Sequence, residues 1–368
     1  MSLSQTSSPT DVLRLLYCSS EPRGTACSMI RVVAPLQRDP RIELRWYDDA
    51  PIRESLHWAH AVIIQRNFPS SSLAKRRILR NIYSTDLPLI YETDDNLLAT
   101  PESNPHHANH REGRPYLARA MRKCDALILS TEELAREFAG TKRNLVVPNL
   151  LDETLWPVVP VVRQAPRLRI GFAGSPTHQD DLALCEVALE RLAQRHGDRL
   201  EFVFLGCITE RLSRLPNTTF IEFQPDYASY ARTLGNAGIH IGIAPLRDTR
   251  FNRAKSAIKW MEMSACGIAG VYADLEPYRQ VIRTQTEGLL AGPSPDQWYE
   301  ALDRLVVDPS LRIRIAETAQ SILVNKHTLA SQQGLLPEAL LRMVSEIRAD
   351  RRTVPLGPLR RLISSLRI

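Results

Sequence analysis

Lys255, Ser256 and Glu262 lie within eight positions of one another in the run IHIGIAPLRDTRFNRAKSAIKWMEMSACGIAGV, Ile239 to Val271. The pattern suits the holding of a nucleoside diphosphate. Apolar Ile239, Ile241, Ile243 and Ala244 read as a strand that Pro245 stops, opening a loop with Arg247, Asp248, Arg250, Asn252 and Arg253. Ser256 fits a helix N-cap or first-turn position, and a helix start with free backbone N–H groups beside a lysine attracts anions. Ile258, Met261 and Ala265 then form an apolar stripe, with Lys255, Lys259 and Glu262 on another face. The plainer alternative is a solvated helix face with Lys259 and Glu262 as an i,i+3 pair.

Further strand-end groups could face the same ligand. In RIGFAGSPTHQDD, Gly171 and Gly174 allow close approach to backbone, and Ser175, Thr177 and His178 could contact phosphate, although Ser175 or Thr177 could equally cap the next helix. The full dinucleotide fingerprint and a Walker A sequence are both absent, which argues against NAD and ATP. In IYETDDNL, Glu92, Asp94 and Asp95 crowd the end of an apolar strand. Hydroxyl binding is the favoured role for them; Mg²⁺ held with substrate phosphates and plain capping are the alternatives, and no cofactor is demanded. Arg23 and Gly24 follow the first strand, where the arginine could meet phosphate. Ser130, Thr131 and Glu132 read as a helix start, with Asn149 and Asp152 near the crossing between domains.

These groups need elements to position them, and strand-like runs alternate with helix-like segments throughout. Val12–Cys18, Ile42–Tyr47, Ala61–Gln65, Leu87–Tyr91, Ala126–Leu129 and Leu145–Val147 form a first set. After the proline-rich PVVPVVRQAP, a second set follows at Leu168–Phe172, Glu201–Leu205, Thr219–Phe223, Ile239–Ala244 and Ile268–Tyr272. The expected fold is α/β, with two doubly wound Rossmann-like domains, residues 1–157 and 158–350, facing a central cleft where ligands bind beyond the carboxyl ends of the strands. Leu97 to Arg114 reads as an irregular lid or acceptor loop.

At 368 residues, with 43% hydrophobic and 24% charged residues, the chain is an ordinary globular one large enough for two cores. The amino terminus has neither a signal-peptide nor a membrane-span pattern, and the six cysteines show no zinc or C-x-x-C spacing, so reduced thiols in a cytoplasmic protein are expected. The net charge of +6 comes mainly from residues 351–368, which hold five arginines and no acid. With Leu359, Leu362, Ile363 and Leu366 at helical spacing, this tail suits an anionic membrane surface, as does the Lys75, Arg76, Arg77, Arg80 cluster. A tail helix docked on its own protein is the alternative. Nucleic acid is not expected, because no aromatics interleave with the basic residues.

The chain resembles bacterial GT-B glycosyltransferases of the family-four, group-one kind that build cell-surface polysaccharides, over nearly its whole length. LIYETDDNL places Asp94 and Asp95 where that family has His-Asp, CDALILSTEEL is similar to its Ser-Glu turn, and VPNLLDETLW to its Pro-Asn with a later Asp. RIGFAGSPTHQDD is similar to its phosphate loop, and KWMEMSACGIAG to the second half of its two-glutamate signature, with Glu262 and Gly267. Ala254 stands where the first signature Glu belongs, Lys255-Ser256-Ala257 replaces a glycine-rich turn, and GSPTHQDD lacks the usual Arg and Lys.

The resemblance implies a retaining transfer of a sugar from a nucleotide diphosphate-sugar to a glycan or lipid-linked acceptor; the basic tail and the Lys75 cluster add the expectation of a peripheral place on the inner face of the membrane. It implies Lys255, with Arg250 or Arg253, as substitute cations, Glu262 as the ribose anchor, Asn252 in place of the lost Glu, and Asp94 orienting sugar or acceptor. An epimerase or hydrolase with the same donor site, and a catalytically silent nucleotide- or glycan-binding protein, are the alternatives.

Overall fold

The computed structural model describes residues 12–353, apart from 71, 141, 142 and 284. Two parallel sheets account for its architecture. The first comprises β1 (Leu13–Cys18), β2 (Ile42–Trp46), β3 (Ala61–Gln65), β4 (Leu89–Thr93), β5 (Ala126–Leu129) and β6 (Arg143–Val146), in the order β2-β1-β3-β4-β5-β6. The second comprises β7 (Leu168–Ala173), β8 (Leu200–Leu205), β9 (Thr218–Ile221), β10 (Ile241–Ala244), β11 (Ala269–Ala273) and β12 (Leu289–Ala291), in the order β12-β11-β10-β7-β8-β9. Strand order reverses inside each sheet, which is the doubly wound arrangement. Strands β3, β4, β5, β10 and β11 are buried along their whole length, as apolar strands covered by helices on both faces must be.

The eleven runs read from sequence all become strands; only the three-residue β12 escapes, because Leu289–Ala291 is too short to show a pattern. The larger correction concerns Leu97–Arg114. After a short 3-10 turn at Leu97–Ala99, the chain forms a helix over His107–Lys123 that carries Pro115 inside it. Its buried face is supplied by Leu117, Ala120 and Met121, beyond the stretch whose histidines and prolines suggest a loop.

The chain passes between the sheets twice. Leu151 pairs with Thr328 in a parallel bridge, through Leu151 N–H to His327 O at 2.9 Å and Leu329 N–H to Leu151 O at 2.9 Å, joining the outgoing and returning crossovers. The returning segment ends in the helix Leu335–Thr353, whose Leu336, Ala339, Leu340, Met343, Val344 and Ile347 pack with Leu13, Leu15 and Ile63 in the core of the first sheet. This helix, which follows the second sheet in sequence, thus turns its apolar face to the first. Of the basic tail, residues 354–368 lie outside the described residues. Arg351 is fixed to the residue just before β5 through Asp125 at 2.7 Å. No described helix is long and apolar enough to cross a membrane.

Candidate active site

The first wall of the cleft is built at the carboxyl ends of β3 and β4. Parallel register sets Gln65 beside Glu92, and both side chains are buried. Gln65 Nε2 donates to Glu92 at 2.9 Å, and Arg31 Nε donates to the other oxygen of Glu92 at 2.6 Å. Arg31 comes from a wide π-helical turn, Met29–Val33, in which Ala34 N–H reaches back to Met29 O. Pro35 has no N–H to offer Arg31 O, so a regular α-turn could not be completed there in any case. The same guanidinium donates to Val147 O at 2.6 Å and Asn149 Oδ1 at 2.8 Å, on the crossover. Burial pushes the Glu92 carboxyl upward, although Arg31 opposes it.

One residue past β3, Arg66 adopts φ 50°, costly for a side chain with a Cβ. Its Nη1 holds Asp94, in a very short contact, and Asp95 at 3.0 Å, while Tyr91 donates to Arg66 O at 2.8 Å. Asp95 also meets Lys255 Nζ from the second domain at 3.4 Å. Burial raises the Asp95 pKa, but Lys255 and Arg66 outweigh it and hold the carboxyl below the usual range. Behind them His110 bonds Thr100 at 3.0 Å, and burial, with the nearby Arg66 charge, lowers its pKa to about 4.

The second wall starts where β7 ends. A Cβ on Gly174 would sit 2.7 Å from Phe172 Cζ, so glycine there leaves room for the Phe172 ring, with His178 Cδ2 at contact distance, 3.4 Å, beyond it. Ser175 Oγ and Thr177 Oγ1 are 2.7 Å apart, and Ser175 makes no side-chain cap bond. Asp181 collects three donors: His178 Nδ1 at 2.9 Å, Arg247 N–H at 2.7 Å and Asn252 Nδ2 at 3.0 Å. His178, Asn252, Lys255 and Arg247 line a cavity of about 210 Å³ whose opposite side is Pro101, Ser103 and Asn104 of the first domain.

Segment Arg250–Ser256 reaches across the cleft. Thr249 caps its first turn, accepting from Asn252 N–H at 3.1 Å, and Phe251 and Ala254 bury themselves in a core cluster of the first sheet. Thr131 Oγ1 donates to Ala254 O at 3.0 Å, Arg250 Nε donates to Glu137 at 2.6 Å, and Asn149 Nδ2 donates to Ser256 Oγ at 2.8 Å. On the other side Tyr227 N–H donates to Gly24 O at 2.9 Å; Gly24 has φ 82°, which suits glycine in this turn.

The expected site residues thus divide. His178, Asn252 and Lys255 converge on the cavity, and Lys255 joins Asp95 and, through Arg66, Asp94. Ser256 is not a cap: the helix begins at Ile258 with Ala257 at the N-cap position, and Ser256 serves the crossover instead. Glu262 is buried behind Tyr230 OH at 2.9 Å, Lys259 Nζ at 2.8 Å and Tyr227 OH at 3.4 Å, so the i,i+3 pair exists and the carboxylate is already engaged. Arg250 and Arg253 are taken by Glu137 and Asp248, and Arg23 by Asp48 at 2.7 Å and Asp49 at 2.6 Å. Lys255, at 3.4 Å from Asp95, and Arg247, at 3.4 Å from Asp180, are the cations that line the cavity among the described residues. Sequence reasoning missed Arg31, Arg66 and Asp181; a lone charge in apolar MIRVV, a residue just past a buried strand and an acid three residues after His178 were the available signals.

No family model and no curated protein matches the sequence. Solved structures do. Sucrose-phosphate synthase (tll1590) from Thermosynechococcus elongatus superposes with a TM-score of 0.64 at 10% identity, covering 90% of this chain and 99% of that one. A glycosyltransferase from Rickettsia africae ESF-5 gives 0.62 at 11%, covering 92% and 99%. Anabaena Alr3699/HepE, solved in complex with UDP and glucose, gives 0.60 at 16%, covering 90% and 100%. The shared feature is the fold: two facing Rossmann-like domains, the GT-B architecture.

Proposed function

We propose that the protein is a glycosyltransferase that moves a sugar, a hexose by preference, from a nucleotide diphosphate-sugar to a glycan or lipid-linked acceptor. The observation that carries this reading is the cavity between the domains, where Lys255, His178 and Asn252 meet residues of the first domain. It lies beyond the strand ends of a fold shared with HepE, which was solved with UDP and glucose.

In the transfer, the bond between the anomeric carbon and the diphosphate oxygen breaks, a bond to the acceptor oxygen forms, and the acceptor proton passes to the departing phosphate. The retaining outcome of the family-four kind follows from that use of the leaving group. Lys255 stabilises charge growing on the diphosphate, in a partly buried position where such an interaction is strong. Its salt bridge to Asp95 opens or lengthens as the phosphate takes its place. Gly174, Ser175, Ser256 and Gly24 shape the backbone around the donor, and Asn252 and His178 supply polar contacts. Glu262 reaches ribose once Tyr227 or Tyr230 yields. Asp94 and Asp95, oriented by Arg66, face the transferred sugar or acceptor hydroxyls; Mg²⁺ is the lesser alternative there, because a guanidinium already occupies both carboxylates.

Acceptors at a membrane would meet the helix Leu73–Tyr83, which exposes Leu73, Arg77 and Arg80. Calorimetry of UDP, GDP, ADP and dTDP with the wild type and Lys255→Ala tests the donor site. The expected loss is about 10- to 100-fold for the nucleotide that binds, the usual range for a charged hydrogen bond. Unchanged affinity would end the assignment.

A further inference from the structure

Asp181 belongs to no pattern read from the sequence, yet it is the hub of the second wall. It is buried at 6% exposure, and its two oxygens accept from His178 Nδ1, Arg247 N–H and Asn252 Nδ2. Those donors come from the turn after β7 and from the loop after β10, so one carboxylate sets the distance between two cleft-lining segments. All three residues line the same cavity, with Lys255 on its rim.

A histidine whose Nδ1 is bound to a carboxylate has only Nε2 to give a ligand, and the carboxylate favours the protonated ring. The other groups around His178 act in the opposite sense. Phe172 from β7 lies edge-on to the ring at 6.5 Å, Lys255 and Lys259 are positive neighbours, and Arg247 and Asp180 share the cavity. Burial, opposed by Asp181 and reinforced by the two lysines, leaves His178 below its ordinary pKa.

We propose that Asp181 is a positioning residue that holds His178 as a proton-accepting ligand, so that a nucleoside diphosphate entering the cavity is bound together with a proton taken up by the imidazole. The inference rests on the donor-site reading above and adds to it a regulated charge, which His178 gains as the anion arrives. The incoming negative charge offsets the two lysines and restores the favourable partner that burial withholds. Nucleotide affinity then rises as pH falls through the range in which the bound-state imidazole titrates.

The test is calorimetry of UDP, with GDP, ADP and dTDP as alternates, at pH 6, 7 and 8 in two buffers of different protonation enthalpy. The wild type is expected to take up a proton on binding. His178→Gln should abolish the uptake, and Asp181→Asn should weaken binding about 10-fold while shifting the acid-side gain to lower pH. Wild-type affinity and uptake in folded Asp181→Asn, or uptake that persists in His178→Gln, overturns the inference and leaves the donor site standing. If Asp181→Asn does not fold, His178→Gln decides by itself. Failure of every nucleotide to bind the wild type overturns both readings.

Discussion

On the first wall of the cleft, Glu92 meets Arg31, and Asp94 and Asp95 meet Arg66; on the second, Asp181 meets an imidazole, an amide and a backbone N–H, and Glu262 meets two phenols and Lys259. Full charges balance the first set, mostly dipoles the second. A carboxylate locked to a guanidinium is a rigid surface with little charge left to lend, and it suits the orientation of hydroxyls. Asp181, held by an imidazole, an amide and a backbone N–H, takes up neither lysine, and the Lys255 contact to Asp95 is long at 3.4 Å. The asymmetry fits the proposed division, with acceptor and sugar at the first wall and phosphate at the second.

The comparison can be broken most severely at Arg31. Arg31→Met leaves Glu92 buried without its charge partner, and chemical denaturation should record a loss of about 3–5 kcal/mol. Adding Glu92→Leu should restore most of it, since a fully apolar replacement of a buried pair is often neutral. On the second wall, Glu262→Gln keeps the shape and most donors, so stability should change by about 1 kcal/mol or less while nucleotide binding weakens measurably by calorimetry.

Between the walls, Asn149→Ala cuts the link from Arg31 to Ser256, which should cost about 1–2 kcal/mol and raise amide exchange at the crossover. A pH-dependent effect is expected at His110. Its folded pKa near 4 lies below the ordinary 6.5, so the unfolded chain binds the extra proton first and stability falls as pH drops from 6.5 toward 4. His110→Gln should flatten that slope in denaturation measured across the same window.

How much of this was legible depended on the range of the interaction. The strands were, because an apolar run between breakers is a local signal and parallel strands are buried on both faces. The cleft side of the site was legible in part for the same reason: Asp94, His178 and Lys255 stand just past strands or at a turn. Partners were not. Nothing in MIRVV says that Arg31 will find Glu92, which is 61 positions away, and nothing in HQDD says that Asp181 will hold the loop at Arg247. Ser256 was misread because Ser-Ala before a helical pattern matches a cap locally, while Asn149 competes for its hydroxyl from the crossover. The helix His107–Lys123 was hidden by its polar first half, whose burial is decided farther along at Leu117.

The helix Leu335–Thr353 closes the core of the sheet built from residues 13–146. During synthesis, then, the half of the molecule that leaves the ribosome first is the half completed last. Until that helix emerges, Leu13, Leu15 and Ile63 lack the cover that Leu340 and Val344 provide, and a chain interrupted after the second sheet keeps an open face on the first.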